Sequence, residues 1–269
     1  MTDIVTNRYK VDGLKFRAAL ISDVHDMNYG NLIEVVKAAN PDVIFLAGDI
    51  IERTNVELAG LSFEEMESWQ TRVYGRNIVM DTIGRILDAI CTGEGYEKEH
   101  YGLEFIEQVS AIAPVYYSRG NHEWYYLEDD LKLFKRCGVI LLNNEDVETE
   151  IKGQKVRIGG SSTKYDLEWL KEYSVKAGFK ILLCHHPEQY RYLIQGTELD
   201  TFDLVLGGHY HGGQWRVFNR SLYIPRMGFL MKNMVGQFGK LIIGAGGVNT
   251  SSLPRFGNPC EVVVIEGVS

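Results

Sequence analysis

Short apolar runs alternate with amphipathic stretches along most of the chain. Apolar residues at helical spacing predict helices over Leu32–Ala39, Trp124–Arg136 and Asp166–Lys176. The apolar and β-branched runs predict strands over Phe16–Ser22, Val43–Ala47, Pro114–Ser118, Val139–Leu142, Val147–Ile151, Lys155–Ile158, Lys180–Leu183, Asp203–Leu206, Leu241–Ile243 and Glu261–Ile265. Early strand–helix–strand units followed by a meander of shorter strands favour an α/β fold of two packed sheets with helices outside.

Residues 53–112 contain no convincing strand, but their helical signal is strong. Ser62 followed by Glu65 is typical of a capped helix start. The apolar residues that follow at helical spacing include Phe63, Met66 and Trp69. A second helix is expected over Tyr101–Ile112. We expect one domain over residues 1–269, in which these helices either flank the sheet or form an insertion that shapes substrate choice.

Composition narrows the classes of function. The chain has 269 residues, of which 45% are apolar and 24% charged, as in ordinary globular proteins. The net charge is −8, and no basic stripe is present, so we expect no binding to long nucleic acid. An anionic substrate stays compatible with this charge, because bound cations can reverse its sign locally.

The N-terminus lacks the charged, apolar and small-residue regions of a signal peptide. No apolar run approaches the length of a transmembrane segment. The four cysteines are far apart and are expected to be reduced thiols: Cys91, Cys137, Cys184 and Cys260. These features predict a cytoplasmic protein, leave peripheral membrane contact open, and say nothing about oligomeric state.

The histidines carry the functional signal. Six of the seven lie in four clusters, each directly after a predicted strand: Asp23-Val24-His25, Asn121-His122-Glu123, His185-His186 and His209-Tyr210-His211. Asp49, in Gly48-Asp49, has the same placement. Strand ends are where α/β folds bring functional groups into one crevice. Because side chains two positions apart on extended backbone point the same way, each pair can reach one cation.

Carboxylate, imidazole and amide oxygen together suit manganese, iron, zinc or similar divalent ions. One carboxylate can hold two such ions, which makes Asp49 the natural bridging ligand of a two-metal site. A single cluster is compatible with ordinary packing. Burial of the four histidine clusters and Asp49 together without a cation would cost roughly several kcal/mol per ionisable group, so the set predicts a metal centre.

The series DVH (23–25), GD (48–49), GNHE (120–123), H (185) and GHYH (208–211) resembles the calcineurin-like metallophosphoesterase superfamily. The segments HGGQWR (211–216) and LPRFGNPCEV (253–262) are similar to a bacterial branch related to UDP-diacylglucosamine pyrophosphatases. The resemblance implies a four-layer α/β/β/α sandwich of two mixed sheets flanked by helices.

The resemblance also implies roles for individual residues. It assigns the first metal to Asp23, His25, Asp49 and His211. It assigns the second metal to Asp49, Asn121, His185 and His209. His122 corresponds to a histidine that binds no metal but contacts the phosphate and helps the leaving group depart.

Four further residues are expected to support the site or contact substrate. Glu52 and Glu123 stand where the family commonly or often has Asp, and the extra methylene moves the carboxylate without removing a ligand. His186, beside His185, is interpreted as a pocket residue. Arg119 is either a loop charge or part of a phosphate cradle with the basic residues Arg216, Arg220, Arg226 and Lys232.

These features predict a two-metal hydrolase of phosphate esters, in which metal-bound hydroxide attacks phosphorus directly. The expected substrate is a small or nucleotide-linked phosphodiester or pyrophosphate. The alternatives are a phosphomonoesterase or nuclease of the same fold, and a non-catalytic metal-binding module. A lipid-nucleotide substrate would require an apolar groove or an interfacial helix.

Overall fold

A computed structural model describes residues 4–55, 59, 101–218, 220–224, 228–251 and 254–268, and its elements are numbered over those residues. The first sheet has six strands, in spatial order β1 (Ile4–Val11), β15 (Cys260–Gly267), β2 (Ala18–Ile21), β3 (Val43–Ala47), β4 (Val115–Ser118) and β5 (Ile140–Leu142). Strands β2 to β5 are parallel, whereas β15 runs antiparallel to β2 and parallel to β1.

The second sheet also has six strands, in the order β13 (Gly236–Phe238), β14 (Leu241–Ile243), β9 (Leu204–Gly207), β8 (Phe179–Cys184), β7 (Gln154–Ser161) and β6 (Glu145–Ile151). Its four central strands are parallel, and both edge strands pair antiparallel. A small antiparallel sheet contains β10 (Arg216–Val217), β11 (Arg220–Ile224) and β12 (Gly228–Lys232).

The described helices are α1 (Leu32–Ala39), α2 (Tyr101–Ser110), α3 (Glu128–Cys137), α4 (Leu167–Val175) and the single turn α5 (Pro187–Gln189), which continues as a π-helical turn (Tyr190–Ile194). None of them is both long and apolar enough to cross a bilayer. Helices α1, α2 and α3 cover the outer face of the first sheet, whereas α4 and the π-helical turn cover the second.

Three apolar cores separate the four layers. Leu20 and Phe45 point inward from the first sheet and meet Leu183 of the second, because alternate residues of a strand face opposite sides. Ile21, the neighbour of Leu20, belongs instead to the core beneath α1 to α3. The second outer core includes Tyr173, which is fully buried. The expected α/β/β/α arrangement of two mixed sheets is therefore confirmed.

The predicted elements over the sheets are confirmed within a few residues, and the expected helix over Tyr101–Ile112 is observed as α2. Phe105 and Val109 of α2 are buried against the first sheet, so this helix flanks the sheet. The remaining helical signal of the expected 53–112 insertion, with Phe63, Met66 and Trp69, lies outside the described residues.

Helix α3 begins at Glu128, so the prediction that it starts at Trp124 is wrong. Two tertiary contacts hold the preceding residues extended. The Trp124 amide donates to the Arg53 carbonyl at 3.0 Å, and the Asp130 carboxylate accepts from the Leu127 amide at 2.9 Å. The second bond caps the helix where it actually begins.

Candidate metal centre

The predicted clusters converge at the carboxyl ends of the parallel strands of both sheets. Asp23 follows β2, Asp49 follows β3, and His209 follows β9. Backbone hydrogen bonds join the turns, since the Asp23 amide donates to the Gly48 carbonyl at 3.1 Å and the His25 amide to the Asp49 carbonyl at 2.9 Å. The His209 amide donates to the Asp23 carboxylate at 3.1 Å, which links the sheets.

Four side chains form a first group of donor atoms. His25 Nε2 lies 3.9 Å from Asp23 Oδ1 and 3.6 Å from Asp49 Oδ2. His211 Nε2 lies 3.5 Å from Asp23 Oδ1, and its ring stacks on the His25 ring with centroids 5.1 Å apart. Donors of Asp23, His25 and His211 all lie within 4.8 Å of one another, which is the spacing of ligands around one cation.

A second group lies on the other side of Asp49. His185 Nε2 is 3.1 Å from Asp49 Oδ2 and 3.1 Å from Asn121 Oδ1. The His209 ring is 5.1 Å from the His185 ring. Asp49 Oδ2 therefore faces both His25 Nε2 and His185 Nε2, as a carboxylate oxygen shared by two cation positions would.

The backbone of these clusters is left-handed, so the expectation that the paired residues sit on extended chain is wrong. Five candidate ligands have positive φ angles: Asp23 (56°), His25 (54°), Asp49 (55°), His209 (73°) and His211 (49°). Each such residue other than glycine costs about 1–3 kcal/mol, and such strain concentrates at functional sites. The side chains converge because the chain turns after each strand.

Gly48 is required by close approach. Its φ is 82°, and a Cβ built there would lie 2.6 Å from His185 Nδ1 and 2.7 Å from the Gly120 Cα. Any larger residue would push β3 away from the loop that carries Asn121 or displace His185. The glycine thus allows the turns of both sheets to meet at the candidate centre.

A buried histidine nitrogen without a hydrogen-bond partner indicates that a cation fits between these side chains. His25 Nε2 is buried and makes no hydrogen bond, although two carboxylates face it. Its other nitrogen, Nδ1, lies 2.6 Å from Glu52 Oε1. His185 repeats this pattern, with Nδ1 2.7 Å from the Ala47 carbonyl. In both rings an acceptor fixes one nitrogen and leaves the other aimed at the centre, as in protein metal sites.

The electrostatics of the cluster divide its histidines into two kinds. Burial alone would lower the pKa of His25, but Glu52, Asp49 and Asp23 raise it to about 9. Burial likewise opposes the charge of His185, yet Asp49 and Asp23 raise its pKa to about 10. Protonated imidazoles therefore balance the carboxylates of the metal-free site, and cations would displace those protons.

His209 and His211 behave in the opposite way. Burial, followed by the charge of His186, lowers the pKa of His209 well below its usual value. Burial and then His25 do the same for His211. Both rings are therefore neutral near pH 7 and carry the free lone pair that a metal ligand needs.

Glu52 contacts both His25 and the expected catalytic residue His122. Its Oε1 atom lies 2.6 Å from His25 Nδ1 and 3.0 Å from His122 Nδ1. Burial alone would raise the pKa of Glu52, but the two imidazoles hold it well below its usual value. The His122 side chain is 38% exposed, so the ring reaches toward solvent while its Nδ1 atom is buried beside Glu52.

Glu123 lies deeper and holds the backbone of two loops. Its carboxylate accepts from the amides of Ile50 at 2.6 Å, Gly120 at 2.6 Å, Asp49 at 3.1 Å and Ile51 at 3.2 Å. The hydroxyl of Tyr117 also donates to it. Burial and then Asp49 raise its pKa, although these hydrogen bonds oppose the shift. Glu123 thereby fixes the Asp49 loop against the Asn121 loop.

The structure places Arg119 in a different environment from Arg220 and Lys232. Arg119 donates to the Glu123 carbonyl and lies 5.7 Å from the Tyr126 ring centroid, which ties it to its own loop. Arg220 and Lys232 lie opposite each other in the small sheet and are exposed, and Arg226 falls outside the described residues. His186 is buried, with Nδ1 2.9 Å from Glu188 Oε1 and Nε2 3.3 Å from Thr163 Oγ1.

Asp26, Thr250 and Glu188 are described neighbours of the site that were not predicted. The Asp26 carboxylate accepts from the amides of Glu52 at 2.8 Å and Gly102 at 2.9 Å. Thr250 Oγ1 lies 3.5 Å from His211 Nδ1. Glu188 is buried beside His186. Asp26 and Glu188 each follow a histidine cluster within three residues, in DVHD and HHPE, and that spacing was the available signal.

Comparison with known proteins identifies the family of this chain. The calcineurin-like phosphoesterase model matches residues 16–213, which include every predicted ligand. The chain belongs to that family. An uncharacterised metallophosphoesterase of Aquifex aeolicus is 31% identical over 192 residues, covering 65% of this chain and 70% of that protein. A protein of Caenorhabditis elegans named as a metallophosphoesterase is 22% identical over 289 residues.

The chain spans 50% of the length of the nematode family member, which in turn covers 97% of this chain. Among solved structures, the chain is similar to a 5′-nucleotidase precursor from Thermus thermophilus, with 11% sequence identity and a TM-score of 0.45. That likeness covers 87% of this chain and 49% of the other.

Proposed function

We propose that this protein hydrolyses a phosphodiester or pyrophosphate bond with two divalent cations. The observation that carries the proposal is the position of Asp49 Oδ2, which faces His25 Nε2 at 3.6 Å and His185 Nε2 at 3.1 Å. Asp23 and His211 complete the first ligand set, as proposed from the resemblance. Asn121 and His209 complete the second.

The ligand chemistry matches manganese, iron, zinc or similar ions. When bound, such a pair supplies a nucleophile at neutral pH and neutralises charge on the phosphoryl oxygens. The chain's own part is to hold that pair and orient the substrate. Because the protein carries a net charge of −8, we expect the anionic substrate to bind only once the cations are in place.

His122 is the proposed catalytic residue. Its Nδ1 atom is buried 3.0 Å from Glu52 Oε1, so Nε2 is the nitrogen we assign to donate a hydrogen bond to a phosphoryl oxygen or to the leaving group. The His122 amide donates to Asp49 Oδ1 at 2.8 Å, so the loop that carries the imidazole is attached to the bridging carboxylate. General acid help of this kind contributes roughly 10²–10⁴-fold to rate.

A diester or anhydride substrate is supported by the second resemblance. The two segments similar to the UDP-diacylglucosamine pyrophosphatase branch meet in the structure. Asn258 Nδ2 donates to the His211 carbonyl at 2.7 Å, and Trp215 Nε1 donates to the Pro254 carbonyl at 3.1 Å. Together they border the first cation position, where they can contact the part of the substrate beyond the reacting phosphate.

The test is hydrolysis of bis-aryl phosphate against mono-aryl phosphate by metal-stripped protein resupplied with Mn²⁺. We expect manganese-dependent cleavage of the diester that is lost in Asp49→Asn and falls roughly 10²–10⁴-fold in His122→Ala. Asp129→Asn is the matched control, because its carboxylate is exposed on α3. A preference for the monoester would identify a phosphomonoesterase, and metal binding without either activity would identify a binding module.

A further inference from the structure

The buried carboxylate of Glu188 has no place in the ligand sets proposed above. It lies on α5, three residues after His185, and its residue is 1% exposed. Its Oε1 atom lies 2.9 Å from His186 Nδ1 and 3.7 Å from His209 Nε2. Burial of a carboxylate costs several kcal/mol, as a rough figure, unless donors surround it.

We propose that Glu188 is a positioning residue that orients His209 so that its Nδ1 atom faces the second cation. This inference rests on the proposed function, because it concerns the same two-metal centre. The role it assigns is to fix which nitrogen of His209 carries the proton.

The other imidazoles of the centre support this role. His25 presents Nδ1 to Glu52, and His185 presents Nδ1 to the Ala47 carbonyl. Each ring therefore has one nitrogen against a protein acceptor and one nitrogen toward the centre. His209 fits the same rule only if Glu188 is its acceptor, since Nε2 is the nitrogen that faces that carboxylate. Carboxylate–histidine–metal arrangements fix the tautomer and raise ligand basicity.

His186 explains why the carboxylate stays in place without the metal. Its shorter contact to the same oxygen, together with its contact to Thr163, anchors Glu188. The 3.7 Å distance to His209 Nε2 exceeds a hydrogen bond, so the ring must approach by roughly half an ångström or more when the bond forms.

The experiment compares Mn²⁺ binding by wild type, Glu188→Gln, Glu188→Asp and the exposed control Glu198→Gln, using calorimetry and electron paramagnetic resonance. Wild type and control should bind two ions and show the spectrum of a coupled pair. In Glu188→Gln the second ion should bind roughly 10–100-fold more weakly, while the first binds normally. The coupled spectrum should then need excess Mn²⁺, and Glu188→Asp, which keeps the charge, should recover part of the affinity.

The outcomes separate the two proposals. If wild type binds two ions and Glu188→Gln binds both as tightly, the positioning role is wrong and the metal centre stands. If wild type binds fewer than two, the proposed function fails as well. A third ion that is lost in Glu188→Gln would make Glu188 a ligand, which also overturns the inference. Urea unfolding of the metal-free variants separates a general loss of stability from a loss of metal affinity.

Discussion

Replacing Glu123 with glutamine should destabilise the fold and the centre together. Oε1 of Glu123 accepts from the Ile50 and Ile51 amides and from Tyr117, whereas Oε2 accepts from the Asp49 and Gly120 amides. A glutamine has one acceptor oxygen, so its least costly placement leaves two buried amides facing an NH₂ group. Each unsatisfied buried donor costs about 1–3 kcal/mol, so the substitution should cost about 2–6 kcal/mol.

Urea unfolding of metal-free wild type and Glu123→Gln measures that cost directly. Glu172→Gln is the control, because Glu172 is exposed on α4 and its change should stay within about 0.5 kcal/mol. A Glu123→Gln protein within about 1 kcal/mol of wild type would refute the reasoning that these amides depend on this carboxylate. Manganese affinity should fall in the same variant, since the Asp49 and Asn121 loops lose their common anchor.

Three further predictions follow from buried groups. Glu52→Gln should weaken binding of the first manganese ion roughly 10–100-fold by calorimetry, because His25 loses its charged partner; unchanged affinity would contradict this. Arg53→Ala should lower the free energy of unfolding by about 3–5 kcal/mol in urea, because it strands the Asp130 carboxylate held at 2.7 and 2.8 Å; Arg136→Ala, on the surface, is the control. Burial and then the charge of Glu188 raise the pKa of Cys184 to about 12, so this thiol should resist a disulfide reagent at pH 8 until the protein unfolds. Because the folded protein holds the Cys184 proton more tightly than the unfolded chain, the free energy of unfolding keeps its full value below the unfolded-state pKa of about 8.5. It should fall as pH rises toward 12, and urea midpoints across that range would detect the fall.

The central strands could be predicted because their residues are apolar on both faces. Val43–Ala47 is buried throughout, and its bounds match the prediction. Strand β1 was missed because it lies at a sheet edge and lacks the continuous apolar run by which the central strands were predicted. Its partner β15 lies at the other end of the sequence. The start of α3 was misplaced because contacts with Arg53 and Asp130, absent from the local sequence pattern, decide it.

The convergence of the clusters could be predicted, whereas their backbone conformation could not. Clusters after strands predicted that Asp23, Asp49 and His185 converge, and the structure brings their donor atoms within 4.8 Å of one another. The left-handed conformation of Asp23 and His209 depends on hydrogen bonds between the turns of different strands, such as His209 amide to Asp23 carboxylate. Glu188 was not predicted because a single glutamate after His-His-Pro is typical of an exposed helix residue. Only the structure shows that it is buried.

Activity measured against added manganese tests the two-metal claim most directly. Chelator-stripped protein at a concentration well above the dissociation constants would receive Mn²⁺ in fractions of an equivalent, with bis-aryl phosphate as substrate. Two cooperating ions predict little hydrolysis during the first equivalent, a steep rise during the second, and a plateau at two. Full activity at one equivalent, or activity in the stripped protein itself, would contradict the assignment of Asp49 as a bridge between two cations.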